Sequence, residues 1–133
     1  MSFGQWEPRY SVGIATMDAQ HRRLLSIVTS LHEALMAGAA GDIVGRVLDE
    51  LLLYTQTHFR AEEELMRQGC YAGLADHQAK HAALVRQVKD LRGRQGSGAA
   101  VLGIQTLGLL QDWPTGHILG EDKAYGAVLG EAA

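Results

Sequence analysis

Residues 58–81 of this chain read HFRAEEELMRQGCYAGLADHQAKH. His58 and Glu62 lie four residues apart in the first part of the stretch, and His77 and His81 lie four residues apart in the second. Side chains at this spacing share one face of an α-helix, about one turn apart, where both can reach one metal ion. The stretch therefore predicts two consecutive helices, each carrying a pair of metal-binding side chains.

Two further segments carry the same residue types. His21 precedes the stretch, and His117 follows it with Glu121 and Asp122 close behind. Counting one acid after His117, five of the six histidines and two carboxylates come from four separate segments. Seven ligands are too many for one tetrahedral or octahedral ion, so the pattern predicts two metal ions that share bridging carboxylates.

The choice of acid in each segment rests on helical spacing. Of the three consecutive glutamates at 62–64, Glu62 lies four residues after His58 and is therefore the one that faces inward. Its neighbours Glu63 and Glu64 are interpreted as part of a solvated face. After His117, spacing alone favours Glu121. Asp122 would point inward only if the helix ended or loosened near Gly120. Both acids remain candidates on these grounds.

The level of each histidine along the bundle supports a single cluster. A lone histidine such as His21 is ordinarily a packed or solvated residue, but two pairs on consecutive helices are rarely accidental. His21 and His58 fall at the same end of an antiparallel bundle, as do the histidines of the later helices. His32 lies about 16 Å further along its helix than His21, so we predict that it is a packed or surface residue.

Long helical periodicity dominates the rest of the chain. It predicts an N-terminal arm at 1–17 and helices at about 18–37, 42–68, 74–93 and 99–120. Asp18 is the expected N-cap of the first helix. Helices of this length with short connections predict an all-α, up-down-up-down antiparallel four-helix bundle that spans 1–133 as one domain. The predicted inward stripes are Leu24, Leu25, Ile27, Val28 and Leu31; Val44, Val47, Leu48, Leu51, Leu52, Thr55, Phe59 and Met66; and Leu84, Val85, Val88 and Leu91.

Composition narrows the class of protein. The 133 residues carry a net charge of −3 with scattered basic residues, which argues against a nucleic-acid or anionic-membrane surface. We see no signal peptide and no apolar run of about 18 to 20 residues, so no membrane insertion is expected. The single Cys70 excludes an intramolecular disulfide and favours a reducing compartment. We predict a cytoplasmic monomer.

Signature positions of one known family occur along nearly the whole chain. They are Trp6, Ser11-Val-Gly-Ile14, Met17-Asp-Ala-Gln-His21, His58-Phe-Arg-Ala-Glu-Glu63, Tyr71, His77 to His81, and Trp113 through His117-Ile118 to Asp122. Together these residues resemble the hemerythrin family in its single-domain bacterial form. Myohemerythrin is itself an example of an up-down four-helix bundle, so the resemblance implies the same fold.

The resemblance implies two non-haem iron ions with an oxo or hydroxo bridge. It assigns His77, His81 and His117 to one iron, and His21 and His58 to the other. Glu62 and Asp122 would bridge the two, which selects Asp122 over Glu121. The function that it implies is reversible dioxygen binding at the two-histidine iron, for carriage, storage or delivery to an oxygen-consuming enzyme, with a reductase as a further partner.

The resemblance also implies an apolar dioxygen pocket, lined here by Leu24, Phe59, Trp113 and Ile118. Each of these residues is also expected in an ordinary bundle core. Pro114 stands where the family most often has leucine. Proline lacks an N–H and interrupts a helix, so we expect a kink before the histidine of this segment, a more open pocket and faster autoxidation.

Two other classes of function use the same kind of centre. A di-iron enzyme acting on peroxide or nitric oxide would need proton-transfer groups, and no obvious general acid or base stands beside the predicted ligands. An oxygen or redox sensor would usually carry an output domain, and no second domain is visible. The sequence therefore favours a dioxygen-binding protein over an enzyme.

Overall fold

The computed structural model describes residues 6–38, 41–96 and 116–129. A short 3₁₀ turn at Pro8–Tyr10 leads into α1 (Ala15–Met36), followed by α2 (Gly41–Gln68) and α3 (Leu74–Gly96). The last described segment is helical from residue 116, passes through a π-helical turn at Ile118–Asp122 and continues as α4 (Lys123–Leu129). No strand occurs within these ranges. The predicted fourth helix lies outside the described residues up to position 115.

Long-range ion pairs and hydrogen bonds define how the helices run. Arg92, near the end of α3, donates to Asp49, near the start of α2, at 2.7 Å. At the other end of the same helices, Gln78 donates to Glu63 at 3.3 Å. α2 and α3 are therefore antiparallel. α1 and α2 are antiparallel as well, because His58, toward the end of α2, is hydrogen-bonded to Gln20, near the start of α1.

The predicted inward stripes form the core. On α1 all five predicted residues are buried, and on α2 and α3 the predicted residues are buried or partly buried. The largest cluster joins the three helices through Leu24, Ile27, Val28, Leu31, Val44, Leu48, Leu51, Phe59, Val88 and Leu91. None of the described helices is both long and apolar enough to cross a bilayer. Most of this largest cluster lies away from the histidines, and two smaller apolar clusters, around Met66 and around Ile118, pack at the histidine end.

The start of α1 differs from the prediction. The helix begins at Ala15, its N-cap is Ile14, and no side chain caps it. Asp18 is therefore not the N-cap: its Oδ2 accepts a hydrogen bond from Ser11 Oγ at 2.6 Å and its Oδ1 accepts one from the Val12 amide at 2.8 Å. The carboxylate of Asp18 thus binds the N-terminal arm and does not cap the helix. A capping rule considers only local sequence and does not predict this contact.

The N-terminal arm packs across the end of the bundle. Tyr10 and Val12 are buried, and Val12 belongs to a cluster with Met17, Met66 and Tyr125. The C-terminal segment packs against the arm from the other side, through Tyr125 and Leu129 of the same cluster. Arm and α4 together close the end of the bundle where the histidines lie.

Gly126 on α4 makes this contact possible, because a Cβ built there would lie 2.3 Å from the carbonyl oxygen of Val12. We expect Gly126→Ala to push the arm away and to lower the free energy of unfolding by about 1–3 kcal/mol, the usual cost of overpacking. Gly116→Ala is the matched control, since its Cβ would meet no atom of the described residues within 4 Å. Denaturant unfolding of both variants tests this, and equal stabilities would contradict it.

Candidate metal centre

All seven side chains predicted to bind metal are buried at one end of the bundle. His21 lies on α1, His58 and Glu62 on α2, and His77 and His81 on α3. The C-terminal segment contributes the remaining two, His117 just before the π-helical turn and Asp122 at its last position. The exposed fraction is 0% for His21, Glu62 and Asp122, so these groups are removed from water.

The two carboxylates divide the histidines into two groups. Toward the first group, Glu62 presents Oε2, which is 2.9 Å from His21 Nε2 and 3.3 Å from His58 Nε2. Asp122 presents Oδ2 to the same side, 3.1 Å from His21 Nε2. His21 and His58 therefore share one oxygen of Glu62, and we call this pair the two-histidine group.

The other oxygen of each carboxylate faces the remaining histidines. Glu62 Oε1 is 3.1 Å from His81 Nε2, and Asp122 Oδ1 is 3.0 Å from His77 Nε2 and 3.1 Å from His117 Nε2. We call these three residues the three-histidine group. Within each group the potential ligand atoms, those of both carboxylates included, lie within 4.8 Å of one another.

A π-helical turn decides which acid after His117 reaches the centre. In a π-helix the hydrogen bonds run over five residues, so Asp122, five residues on, comes onto the inward face. The adjacent Glu121 points outward, where it accepts a hydrogen bond from Lys80 Nζ at 2.9 Å. The helix thus loosens around Gly120, which is the condition that the sequence set for Asp122 to point inward.

The donor atoms themselves fit a metal ion. His58 Nε2, His77 Nε2, Glu62 Oε1 and both carboxylate oxygens of Asp122 are buried and have no aligned hydrogen-bond partner. Two of these nitrogens lie close to a carboxylate oxygen but without the alignment of a hydrogen bond. His81 Nε2 also faces His117 Nε2 at 3.1 Å. Buried polar atoms are rarely left unsatisfied, so converging lone pairs of this kind point to cations between them.

Hydrogen bonds outside the cluster set the orientation of two imidazoles. His81 Nδ1 donates to Glu63 Oε2 at 2.7 Å, and His58 Nδ1 donates to Gln20 Oε1 at 2.5 Å. His117 Nδ1 lies 3.5 Å from a carboxylate oxygen of Glu121. With the proton held on Nδ1, the lone pair of Nε2 is directed into the cluster, as expected for a metal ligand.

The interpretation of Glu63 as part of a solvated face is wrong. Its side chain is only 20% exposed, and its two oxygens accept hydrogen bonds from His81 and Gln78. Glu64 does face solvent and pairs with Arg67. Helical spacing distinguishes Glu62 from the next two glutamates, but it does not tell which of those two faces the adjacent helix. The only signal in the sequence for Glu63 is its position next to a predicted ligand.

Tyr125 is a second residue that the sequence did not single out. Its side chain is fully buried, and its hydroxyl donates to Glu62 Oε2 at 2.8 Å. Burial and the nearby carboxylates raise the pKa of Tyr125 far above its usual value, so the phenol keeps its proton. In the sequence, the one signal for this role is that Tyr125 lies three residues after Asp122, a spacing that places both side chains on one helical face.

The charges of the cluster depend on each other. Burial lowers the pKa of His21 and of His77, but the close carboxylates of Asp122 and Glu62 outweigh it and raise both pKa values to about 9. In turn, although burial opposes ionisation, the surrounding histidines hold the pKa of Glu62 and of Asp122 below its usual value. Without metal, protons on His21 and His77 therefore offset the charge of the carboxylates.

The residues predicted to line a dioxygen pocket have different surroundings. Phe59 stacks on His81, with ring centroids 3.6 Å apart, and belongs with Leu24 to the main core cluster. Ile118 is buried instead beside Tyr10 and Leu25. The other two predicted residues, Trp113 and Pro114, and the expected kink lie outside the described residues.

His32 behaves as the sequence predicts. It is half-buried on α1 and belongs to neither group of potential metal ligands. The same face of one helix thus holds a histidine inside the cluster, His21, and one outside it.

Known proteins resemble this chain over the region that holds both groups. The family described as "Hemerythrin HHE cation binding domain" matches residues 12–129. Bacteriohemerythrin from Stenotrophomonas maltophilia is 36% identical over 122 residues, which cover 90% of this chain and 77% of that protein. Bacteriohemerythrin from Methylococcus capsulatus is 33% identical over 120 residues, or 90% and 91% of the two chains.

Solved structures show the same likeness in three dimensions. Wild-type hemerythrin superposes with a TM-score of 0.86 at 31% sequence identity, over 95% of this chain and 97% of that one. A hemerythrin mutant superposes with a TM-score of 0.89, over 98% and 99% of the two chains. The all-α four-helix bundle predicted from the sequence is thereby confirmed.

Proposed function

The chain belongs to the hemerythrin family, and from that premise we propose that it binds dioxygen reversibly at a non-haem di-iron centre. His77, His81 and His117 would hold one iron, and His21 and His58 the other. Glu62 and Asp122 would bridge the two irons. The physiological role that we propose is carriage, storage or delivery of dioxygen.

The observation that carries this proposal is the way the two carboxylates are divided. Each of Glu62 and Asp122 turns one oxygen toward the two-histidine group and the other toward the three-histidine group. A structural ion pair would need only one oxygen of each acid. Two carboxylates that each serve two groups of imidazoles are what a pair of bridged metal ions requires.

The composition of the ligand set favours binding over oxidation. Ferritin-like di-iron proteins surround their metals with four glutamates and two histidines, whereas the groups here contain two carboxylates and five histidines. Bound iron would supply the electrons that dioxygen takes up and the coordination position that it occupies. Because fewer anionic ligands donate to the metals, high oxidation states are stabilised less, and release of intact dioxygen is favoured.

The residues of the chain have definite tasks in this proposal. Phe59 stacks on His81 and places apolar surface beside the centre, and Leu24, which belongs to the same core cluster, would extend the surface that keeps water away. Tyr125 keeps its proton and holds Glu62 in place through a hydrogen bond. As partners we propose an oxygen-consuming enzyme and a reductase, in a cytoplasm whose reducing conditions suit the single Cys70.

Iron analysis combined with visible spectroscopy tests the proposal. We expect two irons per chain, and a visible absorption that appears when the reduced protein meets dioxygen and disappears when the gas is removed. Zinc-loaded protein is the control, since zinc has no redox chemistry and should show no such change. A single iron per chain, or an absorption that removal of dioxygen does not reverse, would count against reversible binding at a di-iron centre.

A further inference from the structure

The hydrogen-bond partners behind the two histidine groups differ in charge. Behind the three-histidine group stands a carboxylate: Glu63 accepts from His81 Nδ1 at 2.7 Å and is only 20% exposed. Behind the two-histidine group stands a neutral amide, since His58 Nδ1 donates to the side-chain oxygen of Gln20. A carboxylate that accepts the Nδ1 proton makes an imidazole a stronger donor to metal, and an amide does so much less.

Tyr125 increases this difference from the other side. Its hydroxyl donates to Glu62 Oε2, the oxygen that faces His21 and His58. A hydrogen bond from a neutral phenol withdraws electron density from the oxygen that accepts it. The opposite oxygen, Glu62 Oε1, faces His81 and receives no such bond. The same carboxylate is thus a weaker donor on the two-histidine side.

We propose that these outer residues make the two metal positions unequal, and that Glu63 is the residue that strengthens the three-histidine position. This inference rests on the proposed di-iron function. The three-histidine position binds its ion first and holds it more tightly. The two-histidine position fills second and loses its ion first. Glu63 acts as a positioning residue, because it reaches the metal only through His81.

Titration of the metal-free chain with Co²⁺, followed by visible absorption and calorimetry, tests the inference. We expect two separate binding steps for the wild-type chain. Glu63→Gln keeps the size of the side chain and an oxygen for His81 but removes the charge, and should weaken the first step about 10–100-fold. Gln20→Glu makes the reverse change behind His58 and should strengthen the second step.

Glu64→Gln is the matched control. It removes the same charge one residue away, from a half-exposed side chain that pairs with Arg67 and contacts no histidine. Both binding constants should stay at their wild-type values. In the iron-loaded protein, Glu63→Gln should also raise the reduction potential, whereas Glu64→Gln should leave it unchanged. Loss of a merely structural contact at Glu63 would not raise the potential.

The possible results separate the two proposals. A chain that binds no metal, or one ion, overturns the di-iron function itself. Two Co²⁺ ions bound with indistinguishable affinities would leave that function standing and overturn the inequality of the positions. An equal effect of Glu63→Gln and Glu64→Gln, on affinity or on potential, would overturn the role of Glu63.

Discussion

Asp122→Asn is expected to cost the protein its pair of metals. The two oxygens of Asp122 face both histidine groups, at 3.0 to 3.1 Å from three imidazole nitrogens. Asparagine keeps the shape but replaces one oxygen with an NH₂ group, which offers protons where a metal needs a lone pair. The loss of affinity should exceed the 10–100-fold or so that follows from removal of an outer hydrogen-bond partner. Iron content should fall from two to below one per chain.

Glu121→Gln provides the comparison, because it makes the same change of charge at the neighbouring position. Glu121 lies outside the cluster, 3.5 Å from His117 Nδ1, and is paired with Lys80. This variant should retain two irons and the absorption change with dioxygen. Two irons in Asp122→Asn, or an equal loss of iron in both variants, would show that the bridging role is assigned to the wrong residue.

The fold could be predicted from the sequence because burial on a helix is a local, repeating property. The inward stripe of α1 and most of that of α2 and α3 follow from a period of 3.6 residues. The start of α1 does not follow from it. Asp18 accepts hydrogen bonds from Ser11 and Val12, so the arm, and not a capping preference, determines what that carboxylate does.

The candidate ligands on α2 and α3 were predictable for the same reason, since four residues span about one turn of a regular helix. Asp122 could not be predicted from spacing, because the regular period favours Glu121; only the resemblance to the hemerythrin family selected it. The π-helical turn at Ile118–Asp122 changes the period locally. The contacts of Asp122 with histidines on other helices stabilise this irregular turn. Such contacts exist only in the assembled bundle, so a local helical period cannot predict them.

The outer partners were hardest to predict, because they depend on how neighbouring helices are rotated against each other. Glu63 meets His81 across the α2–α3 interface, and Tyr125 meets Glu62 from α4. Acidic and aromatic residues at such positions look like ordinary surface or core in a sequence. Only the relative placement of the helices reveals that they contact the cluster.

The dependence of stability on pH should reveal how the cluster behaves without metal. The pKa values of His21 and His77 are raised to about 9 by Asp122 and Glu62, despite burial, from an unfolded value of about 6.5. A raised pKa contributes stability that is fully present below pH 6.5 and is lost as the pH rises toward 9. For His21 alone the loss is on the order of 3 kcal/mol. The lowered pKa of Asp122 acts in the other direction and removes stability only in acid, below about pH 4.

Metal binding should cancel the loss at alkaline pH, because an ion that occupies the cluster displaces the protons of His21 and His77. We therefore expect the melting temperature of the chelator-treated protein to fall between pH 6.5 and 9, while that of the metal-loaded protein stays nearly level. Binding of Co²⁺ at pH 7 should release protons, measurable by calorimetry in buffers of different ionisation enthalpy. The metal-free His21→Gln variant should show a shallower fall than the wild-type chain. A metal-free protein whose melting temperature is unchanged across this range would mean that protons do not stand in for metal between the carboxylates.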